Sequence, residues 1–426
     1  MPVIIVVLIL IALMLFGAPL FSIIGSIALI GFSSQGIDTA AIIVEMYRLA
    51  SQPVLLAIPL FTFAGYLLAE SNTPKRLVAL TQALVGWLPG GLAIVVLAAC
   101  AIFTAFTGGS GITIVALGGL VYPILISEKY SENFSLGLVT TSGSLGLLFP
   151  PSLPIILYGI VSEVSISQLF LAGIVPGILL VIILSVYSVR QGVAAKVQRH
   201  PFEWKKVWRA LKDAAWEIPL PFVIIIGIYS GFFTATEAAA VTAFYVLVVE
   251  VFVYRDLKLF SDVPRVMKES MILVGAILMI LATAMGLTSF LIDQQVPQRL
   301  FEFISSVITS KLIFLIILNL FLIIVGMMMD IFSAIIVVVP LIIPIAKQYG
   351  VDPVHLGIIF LANLEIGYLT PPVGLNLFIS SFRFEKSVGK VTLATLPFIA
   401  ILFVALMIIT YVPELSLGLI QLLGVK

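Results

Sequence analysis

Long apolar runs separated by short polar stretches make up most of this chain. A transmembrane helix needs about 20 mainly apolar residues. Six runs reach or approach that length, at 52–70, 167–188, 217–230, 233–253, 271–292 and 390–412. Residues 1–33 are also apolar, and they form either one long kinked span or two short spans around Gly-Ala-Pro at 17–19. The pattern predicts an all-α, polytopic membrane protein.

Composition agrees with this pattern and excludes several classes of protein. Of the 426 residues, 61% are hydrophobic and 10% are charged, and the mean hydropathy is +1.25. The longest polar stretch, 190–216, is too short for a soluble domain. Because Cys100 is the only cysteine and the two histidines are isolated, we expect no disulfide within the chain, no metal site and no other cofactor. The net charge of +1 gives no sign of a nucleic-acid partner, and none is expected.

Two pairs of adjacent prolines interrupt apolar runs in the same way, Pro150 with Pro151 and Pro371 with Pro372. Their separation is 371 − 150 = 221, and the same offset relates Pro123 to Pro344, Pro176 to Pro397, Gly146 to Gly367 and Gly65 to Gly286. A constant offset predicts two internal repeats, 51–188 and 271–412.

The rest of the chain divides around these repeats into three parts. Residues 1–50 are predicted to form an N-terminal span and an arm-like helix. They carry no basic residue before Arg48, so 1–33 lack the start of a signal peptide and are expected to stay in the membrane. Residues 189–270 are predicted to form a cytoplasmic interfacial helix and two connector spans, and 413–426 a C-terminal tail.

Each repeat contains a pair of short apolar runs around a polar tip. In the first repeat the runs 92–106 and 112–126 flank Thr-Gly-Gly-Ser-Gly at 107–111, and in the second a similar pair flanks Gly-Met-Met-Met-Asp at 326–330. Runs of about 15 residues are short for a full crossing. They favour re-entrant hairpins at 92–126 and 312–345, with two ordinary tilted spans as the alternative. A proline-broken helix follows each hairpin, at 133–160 and 353–382.

The distribution of basic residues gives the topology. Five crossings separate the span at 52–70 from its copy at 271–292, because a re-entrant hairpin adds none, and an odd number makes the repeats inverted. With 190–212 in the cytoplasm, the loops 71–89, 127–132, 254–269 and 383–390 also face the cytoplasm. Together these segments hold 17 of the 22 Lys and Arg residues, as the positive-inside rule requires. The C-terminus is then outside.

The broken helices suggest a chemistry for the two repeats. A proline removes the hydrogen bond to the carbonyl four residues earlier, so the two pairs are predicted to free the carbonyls of Gly146, Leu147, Gly367 and Tyr368. Free carbonyls do not face lipid, but they coordinate sodium, and the N-terminus of the following half-helix favours an anion. Inverted repeats with broken helices are typical of secondary transporters.

The candidate site for sodium and substrate joins the two tips to the two breaks. Hydroxyls supply oxygen ligands, glycines allow close backbone approach, and Asp330 is the best-placed acid, with a solvated loop carboxylate as its alternative. The predicted set is Thr107, Gly108, Gly109, Ser110, Gly146, Leu147, Pro150, Pro151, Ser152, Asp330, Gly367, Tyr368, Thr370, Pro371, Pro372, Gly374 and Asn376. Glu365 is either a buried site acid or a structural residue at a polar crevice, and Glu237 is expected to be structural.

Three stretches of the chain resemble a known family, the large membrane subunit (DctM-like) of tripartite ATP-independent periplasmic (TRAP) transporters. They are GSLGLLFPPSLPIILYG at 143–159, FFTATEAAAVTAFY at 232–245, with Ala235 where the family commonly has proline, and GYLTPPVGLNLF at 367–378. The resemblance implies an elevator-type transporter in the bacterial inner membrane, where the outside location of the C-terminus predicted above is the periplasm. It also implies uptake of an organic acid driven by a sodium gradient, a small DctQ-like membrane subunit and a periplasmic substrate-binding protein.

Other interpretations remain open at this point. A self-sufficient sodium–carboxylate symporter would share the inverted-repeat design. A membrane enzyme acting on lipid-linked substrates would need His, Cys or carboxylate residues at catalytic spacing, and the sequence shows no such group, so we expect no enzyme. The stretch 202–217 alternates basic residues with Trp204, Trp208 and Trp216, which predicts an interfacial helix in contact with the lipid bilayer.

Overall fold

The protein is described here by a computed structural model that covers residues 12–13, 17–88, 90–195, 197 and 201–425. Over these ranges the secondary structure is entirely helical, without a strand. Among the described residues, eight helices are long and apolar enough to cross a membrane, or nine if one bent pair counts as a single span. The predicted all-α, polytopic fold class is therefore confirmed. The alternatives of one span or two for 1–33 stay open, because most of 1–16 lies outside the described residues and a helix is described there only from Leu20 onwards.

The helices up to residue 195 include the first predicted hairpin and the first broken helix. A 3₁₀ turn, Pro53–Leu56, precedes α3, and a second, Leu145–Leu148, follows α7. The helices are α1 Leu20–Ser34, α2 Ala40–Ala50, α3 Ala57–Glu70, α4 Thr73–Val85, α5 Gly91–Thr107, α6 Ser110–Ser127, α7 Glu132–Ser142, α8 Leu153–Ser162 and α9 Ile166–Ala194.

The helices after residue 200 include the connector, the second predicted hairpin and the second broken helix. They are α10 Trp204–Asp213, α11 Pro219–Tyr229, α12 Ala235–Val253, α13 Asp262–Asp293, α14 Val296–Val307, α15 Lys311–Met328, α16 Ile331–Gln348, α17 Pro353–Gly367, α18 Leu375–Phe384, α19 Val388–Tyr411 and α20 Glu414–Leu423.

Corresponding helices begin at nearly the same offset that relates the proline pairs. Helices α6 and α16 begin 331 − 110 = 221 residues apart, and α7 and α17 begin 353 − 132 = 221 residues apart. Helices α8 and α18 begin 375 − 153 = 222 residues apart. We call α3 to α9 the first set of helices and α13 to α19 the second set. The order of elements in the two sets is also the same: two helices, a hairpin, a broken helix and a long helix.

Polar side chains fix where several of these helices begin. Asp352 Oδ1 accepts hydrogen bonds from the backbone N–H groups of Val354 and His355, at 2.8 and 3.3 Å, and so caps α17. At α12, Thr234 and Glu237 form a capping box in which each side chain accepts from the other's backbone N–H. The prediction that Glu237 is structural is confirmed.

Three stretches that the sequence suggested were loops or a tail contain helices. The predicted loop 71–89 contains α4, much of the predicted loop 254–269 belongs to α13, and the predicted tail 413–426 contains α20. α14 was also not predicted. Charged residues mark the ends of a hydrophobic run, but they do not end a helix, because ion pairs one turn apart support it. Arg265, near the start of α13, pairs in this way with Glu269 at 3.7 Å.

The second half of each broken helix packs against the other set of helices. Helix α8 packs on α16 and α17, where the Tyr158 hydroxyl donates to the Pro353 carbonyl at 2.7 Å. Helix α18 packs on the middle of α6, where Arg383 Nε donates to the Val115 carbonyl at 3.1 Å. Each broken helix therefore joins both sets, and we refer to this exchange as the crossed packing.

The aligned glycines Gly146 and Gly367 allow a close approach between backbones. A Cβ at Gly146 would lie 2.5 Å from the Ala105 backbone nitrogen in α5, and one at Gly367 would lie 2.5 Å from Gly326 Cα in α15. Each glycine lies four residues before the first proline of a pair, but the space beside it is filled by the first arm of the hairpin.

Gly367→Ala is therefore expected to destabilise the protein strongly, since the new methyl group meets backbone that cannot rotate away. Overpacking of a core costs about 1–3 kcal/mol, and a backbone clash belongs at the upper end of that range. The midpoint of thermal unfolding in detergent measures the effect. Gly275→Ala is the matched control, because α13 leaves open space around Gly275. Equal midpoints for the two variants would contradict the close approach.

Candidate functional site

The tip of the first hairpin is held against the first break by a chain of hydroxyl groups. The Thr104 and Thr113 hydroxyls, one on each arm, lie 2.7 Å apart, and Thr104 Oγ1 also donates to the Gly143 carbonyl at 3.0 Å. Gly143 lies at the end of α7, where the break begins. The hairpin tip and the first break thus form one buried polar unit.

The glycine tip allows the hairpin to reverse direction inside the protein. Gly108 has φ of +65°, in the left-handed region that favours glycine, and a Cβ there would meet the Leu153 side chain at the start of α8. Thr107 and Ser110, on either side of the tip, are 1% and 4% exposed. The tip therefore packs directly against the second half of the first broken helix.

The start of α18 meets the end of α7 and brings the second break to the first broken helix. Asn376 Nδ2 donates to the Thr140 carbonyl at 3.4 Å, and the Thr140 hydroxyl lies 2.9 Å from the Ser380 hydroxyl. These residues are completely buried. Two pairs of residues, separated by 236 and 240 positions in the sequence, thus meet in a single polar contact.

Three buried oxygen atoms in this region have no hydrogen-bond partner among the described residues. They are Thr141 Oγ1 at the end of α7, Ser152 Oγ at the start of α8 and Asn376 Oδ1 at the start of α18. Buried polar groups are nearly always hydrogen-bonded. Unpartnered oxygens at three helix ends are therefore candidate ligands for a hard cation, and Thr141 was not among the residues predicted from sequence.

The second break is fixed to the tip of its own hairpin. The Gly374 N–H donates to the Met327 carbonyl at 3.1 Å, and the Tyr368 hydroxyl accepts from the Ile331 N–H at the start of α16. Asp330 caps α16, because its carboxylate accepts from the N–H groups of Phe332 and Ser333 and from the Ser333 hydroxyl. Asp330 is exposed, so its role as a sodium ligand stays a prediction.

Three of the four carbonyls that the prolines were predicted to free accept other hydrogen bonds, so that expectation was wrong for them. Gly146 accepts from the Phe149 N–H at 3.1 Å, Gly367 from the Thr370 N–H at 3.0 Å, and Tyr368 from the Asn376 N–H at 3.2 Å. The chain tightens into turns that bond residue i to i+3, or folds back, and so replaces the lost helical bonds. The Leu147 carbonyl differs from these three, because the residues three and four positions later are Pro150 and Pro151, which have no N–H group to donate.

The two breaks differ in their surroundings. Pro150, Pro151 and Ser152 are buried, whereas Pro371 and Pro372 are exposed. In both pairs the peptide bond between the prolines is cis. The predicted site residues thus fall into two groups. One contains Thr107, Gly108, Gly109, Ser110, Gly146, Leu147, Pro150, Pro151, Ser152 and Asn376, and the other contains Asp330, Gly367, Tyr368, Thr370, Pro371, Pro372 and Gly374.

Glu365, in α17, is a carboxylate without a partner inside the protein. It is 1% exposed, and neither oxygen has a hydrogen-bond partner in the described part of the chain. The interpretation of Glu365 as a structural residue at a polar crevice is therefore wrong. An ionised carboxylate buried alone costs several kcal/mol, so Glu365 needs a proton or a bound cation.

The structure contains a buried ion cluster around Arg76 of α4, which the sequence analysis did not predict. Arg76 binds three carboxylates, Glu217 at 2.6 Å, Asp256 at 2.7 Å and Glu250 at 3.0 Å, and lies 3.8 Å from the centre of the Tyr254 ring. Burial acts to lower the pKa of the Arg76 guanidinium, but the carboxylates outweigh it and raise that pKa. We call these four charged residues the Arg76 cluster.

No group of three or more His, Cys, Asp or Glu residues that could hold a metal ion occurs in the described ranges. Instead, neutral oxygens gather where hairpins and broken helices meet within a bundle of membrane-spanning helices. That combination defines the class of the protein as a polytopic membrane protein of transporter architecture.

Comparison with known proteins places the chain in a family. A model described as "Tripartite ATP-independent periplasmic transporter, DctM component" matches residues 7–415. The chain belongs to this DctM family, which confirms the resemblance found in the sequence.

Relatives agree with this assignment, and a solved structure shares the fold. The C4-dicarboxylate TRAP transporter large permease protein DctM of Pseudomonas aeruginosa is 38% identical over 403 residues, 94% of each chain. The ectoine/5-hydroxyectoine TRAP transporter large permease protein UehC of Ruegeria pomeroyi is 34% identical, over 96% of each chain. The fold resembles the crystal structure of the YdaH transporter of Alcanivorax borkumensis, with a TM-score of 0.64, 13% identity and 88% of each chain covered.

Proposed function

We propose that this protein is the large membrane subunit of a TRAP transporter that takes up an organic acid, a C4-dicarboxylate, driven by a sodium gradient. The observation that carries the sodium part is the set of unpartnered buried oxygens on Thr141, Ser152 and Asn376. The substrate class rests on relatives such as those of Pseudomonas aeruginosa and Vibrio cholerae, which are named as C4-dicarboxylate permeases.

The transported anion meets helix N-termini at the two breaks. Helices α8 and α18 begin at Leu153 and Leu375, directly after the breaks, and their first N–H groups favour negative charge. A sodium ion held beside them by neutral oxygens offsets the charge of a carboxylate. Binding of sodium therefore strengthens binding of the carboxylate, and binding of the carboxylate strengthens binding of sodium.

The offset helices and the crossed packing support a pair of inverted repeats that move as one unit. Since α8 is anchored on the second set and α18 on the first, the two breaks and two tips form a single body. Movement of that body against the remaining helices is the elevator mechanism that we propose. The family supports a location in the bacterial inner membrane, and the distribution of basic residues supports a C-terminus in the periplasm.

Two partners complete the proposed assembly, a small DctQ-like membrane subunit and a periplasmic substrate-binding protein. Support comes from the family, and from a relative in Oleidesulfovibrio alaskensis named as the isethionate TRAP transporter permease protein DctMQ. The named relatives are permeases, which favours transport over the alternative of a membrane enzyme.

Uptake of a labelled C4-dicarboxylate into proteoliposomes tests this function. Uptake is expected only with an inward sodium gradient and with both partner proteins present. Uptake by this chain alone would favour the self-sufficient symporter instead. Absence of sodium-dependent uptake with all three components would contradict the proposal.

Thr141→Val is expected to weaken sodium activation several-fold while leaving stability nearly unchanged. Valine has the same shape as threonine, and the only atom lost is a buried oxygen without a protein partner. The sodium concentration for half-maximal uptake measures the effect. Ser188→Ala is the matched control, since it removes another buried, unpartnered hydroxyl, on α9. An unchanged sodium dependence in Thr141→Val would exclude Thr141 as a ligand.

A further inference from the structure

An apolar cavity lies between the first break and the connector helix α11. Its volume is about 340 Å³, and its walls come from α5, from Phe149 and Pro150 of the break and from α11. Ile102 and Phe222 line it and are 39% and 59% exposed. The cavity therefore communicates with the apolar outer surface of the helices, from which a ligand dissolved in the bilayer could enter.

One wall of this cavity carries an acid. Glu217 and Thr73 are its only side chains with an oxygen atom. Glu217 is 5% exposed, and its Oε1 accepts from the Thr73 hydroxyl at 2.7 Å and from Arg76 Nε at 2.6 Å. Its second oxygen, Oε2, is buried and has no hydrogen-bond partner within the described ranges. A buried carboxylate oxygen left in this way is a strong acceptor for a donor that the protein does not supply.

The charge around Glu217 determines which donor is favoured. Glu217 belongs to the Arg76 cluster, in which three carboxylates face one guanidinium. Ionised, the cluster carries an excess of negative charge, because three carboxylates face a single guanidinium, and each of the three nitrogen atoms of that group already donates to a carboxylate. A cationic donor therefore fits beside Glu217 Oε2, whereas an anion is repelled.

We propose that this cavity binds a cationic amphiphile, with a protonated primary amine on Glu217 Oε2 and a compact apolar body between α5 and α11. The apolar walls favour the compact apolar part of the ligand, and the unpartnered Oε2 of Glu217 favours its ammonium group. The ligand would touch Phe149 and Pro150, so its occupancy restrains the first break against α11. The cavity shares Pro150 with the first group of candidate site residues, but binding of the amphiphile does not depend on the proposed function.

Thermal unfolding of the protein in phosphatidylcholine nanodiscs tests the site. The probes are adamantylammonium, adamantanol and adamantane carboxylate, which share one compact apolar body. Adamantylammonium is expected to raise the unfolding midpoint in a saturable manner, the alcohol to do so more weakly and the carboxylate not at all. Equal effects of the ammonium and the alcohol would overturn the role of Glu217.

Two variants with matched controls complete the test. Glu217→Gln is expected to weaken adamantylammonium binding about tenfold, as for the loss of a hydrogen bond to a charged group, while Glu203→Gln, just before α10, leaves it unchanged. Ile225→Trp fills the cavity and is expected to abolish binding of all three probes. Ile226→Trp, next to it but 62% exposed and outside the cavity, is the control. Unchanged binding to Ile225→Trp would overturn the site itself, even if Glu217→Gln fails to fold.

Discussion

Replacing both prolines of one break by alanine is expected to abolish uptake while leaving an inserted, folded protein. Alanine is the best helix former, and each replacement removes a penalty of about 3 kcal/mol that proline imposes on a continuous helix. In Pro150→Ala/Pro151→Ala the chain gains the N–H groups that would bond Gly146 and Leu147. A straighter helix there moves the start of α8 away from Gly108 at the hairpin tip.

Sodium-driven uptake in liposomes and thermal stability in detergent should be measured on the same preparations. We expect Pro371→Ala/Pro372→Ala to behave like the first double variant, because the second break holds α18 against α7. The control is Pro176→Ala/Pro397→Ala, which removes two lone prolines from the interiors of α9 and α19 and is expected to retain uptake. Normal uptake by a stable Pro150→Ala/Pro151→Ala protein would remove the first break from the site.

Arg76→Met is expected to cause the largest loss of stability among single substitutions of charged residues. Glu217 and Glu250 have side chains 3% and 0% exposed, and the substitution leaves both without their cation. Removing one partner of a buried ion pair costs about 3–5 kcal/mol. The cluster also joins α4 to the end of α12 and the start of α11, so the connector should separate from the first set of helices.

The midpoint of thermal unfolding again provides the measurement. Arg265→Met is the control, because Arg265 pairs with Glu70 at 2.8 Å while both side chains remain 40% or more exposed. A pair of that kind contributes about 0–1 kcal/mol. Arg76→Lys should recover only part of the stability, since an ammonium group cannot replace a planar fork that serves three carboxylates. Similar losses in Arg76→Met and Arg265→Met would show that the cluster is not an important contact.

The sequence predicted the positions of the polar tips and of the proline breaks well where a local pattern determines them. The re-entrant form of the hairpins stays a prediction, since α6, α15 and α16 are each long enough to cross a membrane. The tip at 107–111 and the prolines at 150–151 fall between helices because glycine and proline restrict the backbone wherever they occur. The spacing of 221 also reappears in the helix starts. By contrast, α4 was read as a loop because its charged first turn resembles a solvated connection.

Other features could not be read from the sequence because they depend on residues far apart in the chain. Arg76 is 141 and 180 residues from Glu217 and Asp256, and no periodic pattern links them. The carbonyls of Gly146, Gly367 and Tyr368 were expected to be free because proline removes a helical bond, but the turn that replaces the bond is a tertiary outcome. Thr141 was passed over because its lack of a partner is visible only in the folded protein.

The crossed packing also affects how the protein is made. Thr140 and Ser380, which meet between α7 and α18, are 240 residues apart, and Glu132 lies 258 residues before its partner Lys390. At about 5–20 residues per second of synthesis, the helices of the first half are complete roughly 10 to 50 seconds before their partner helices have been made. During that time the polar ends of α7 and α8 lie in the membrane without their final neighbours. A nascent chain halted after α9 should therefore be a preferred substrate for membrane chaperones and quality-control proteases.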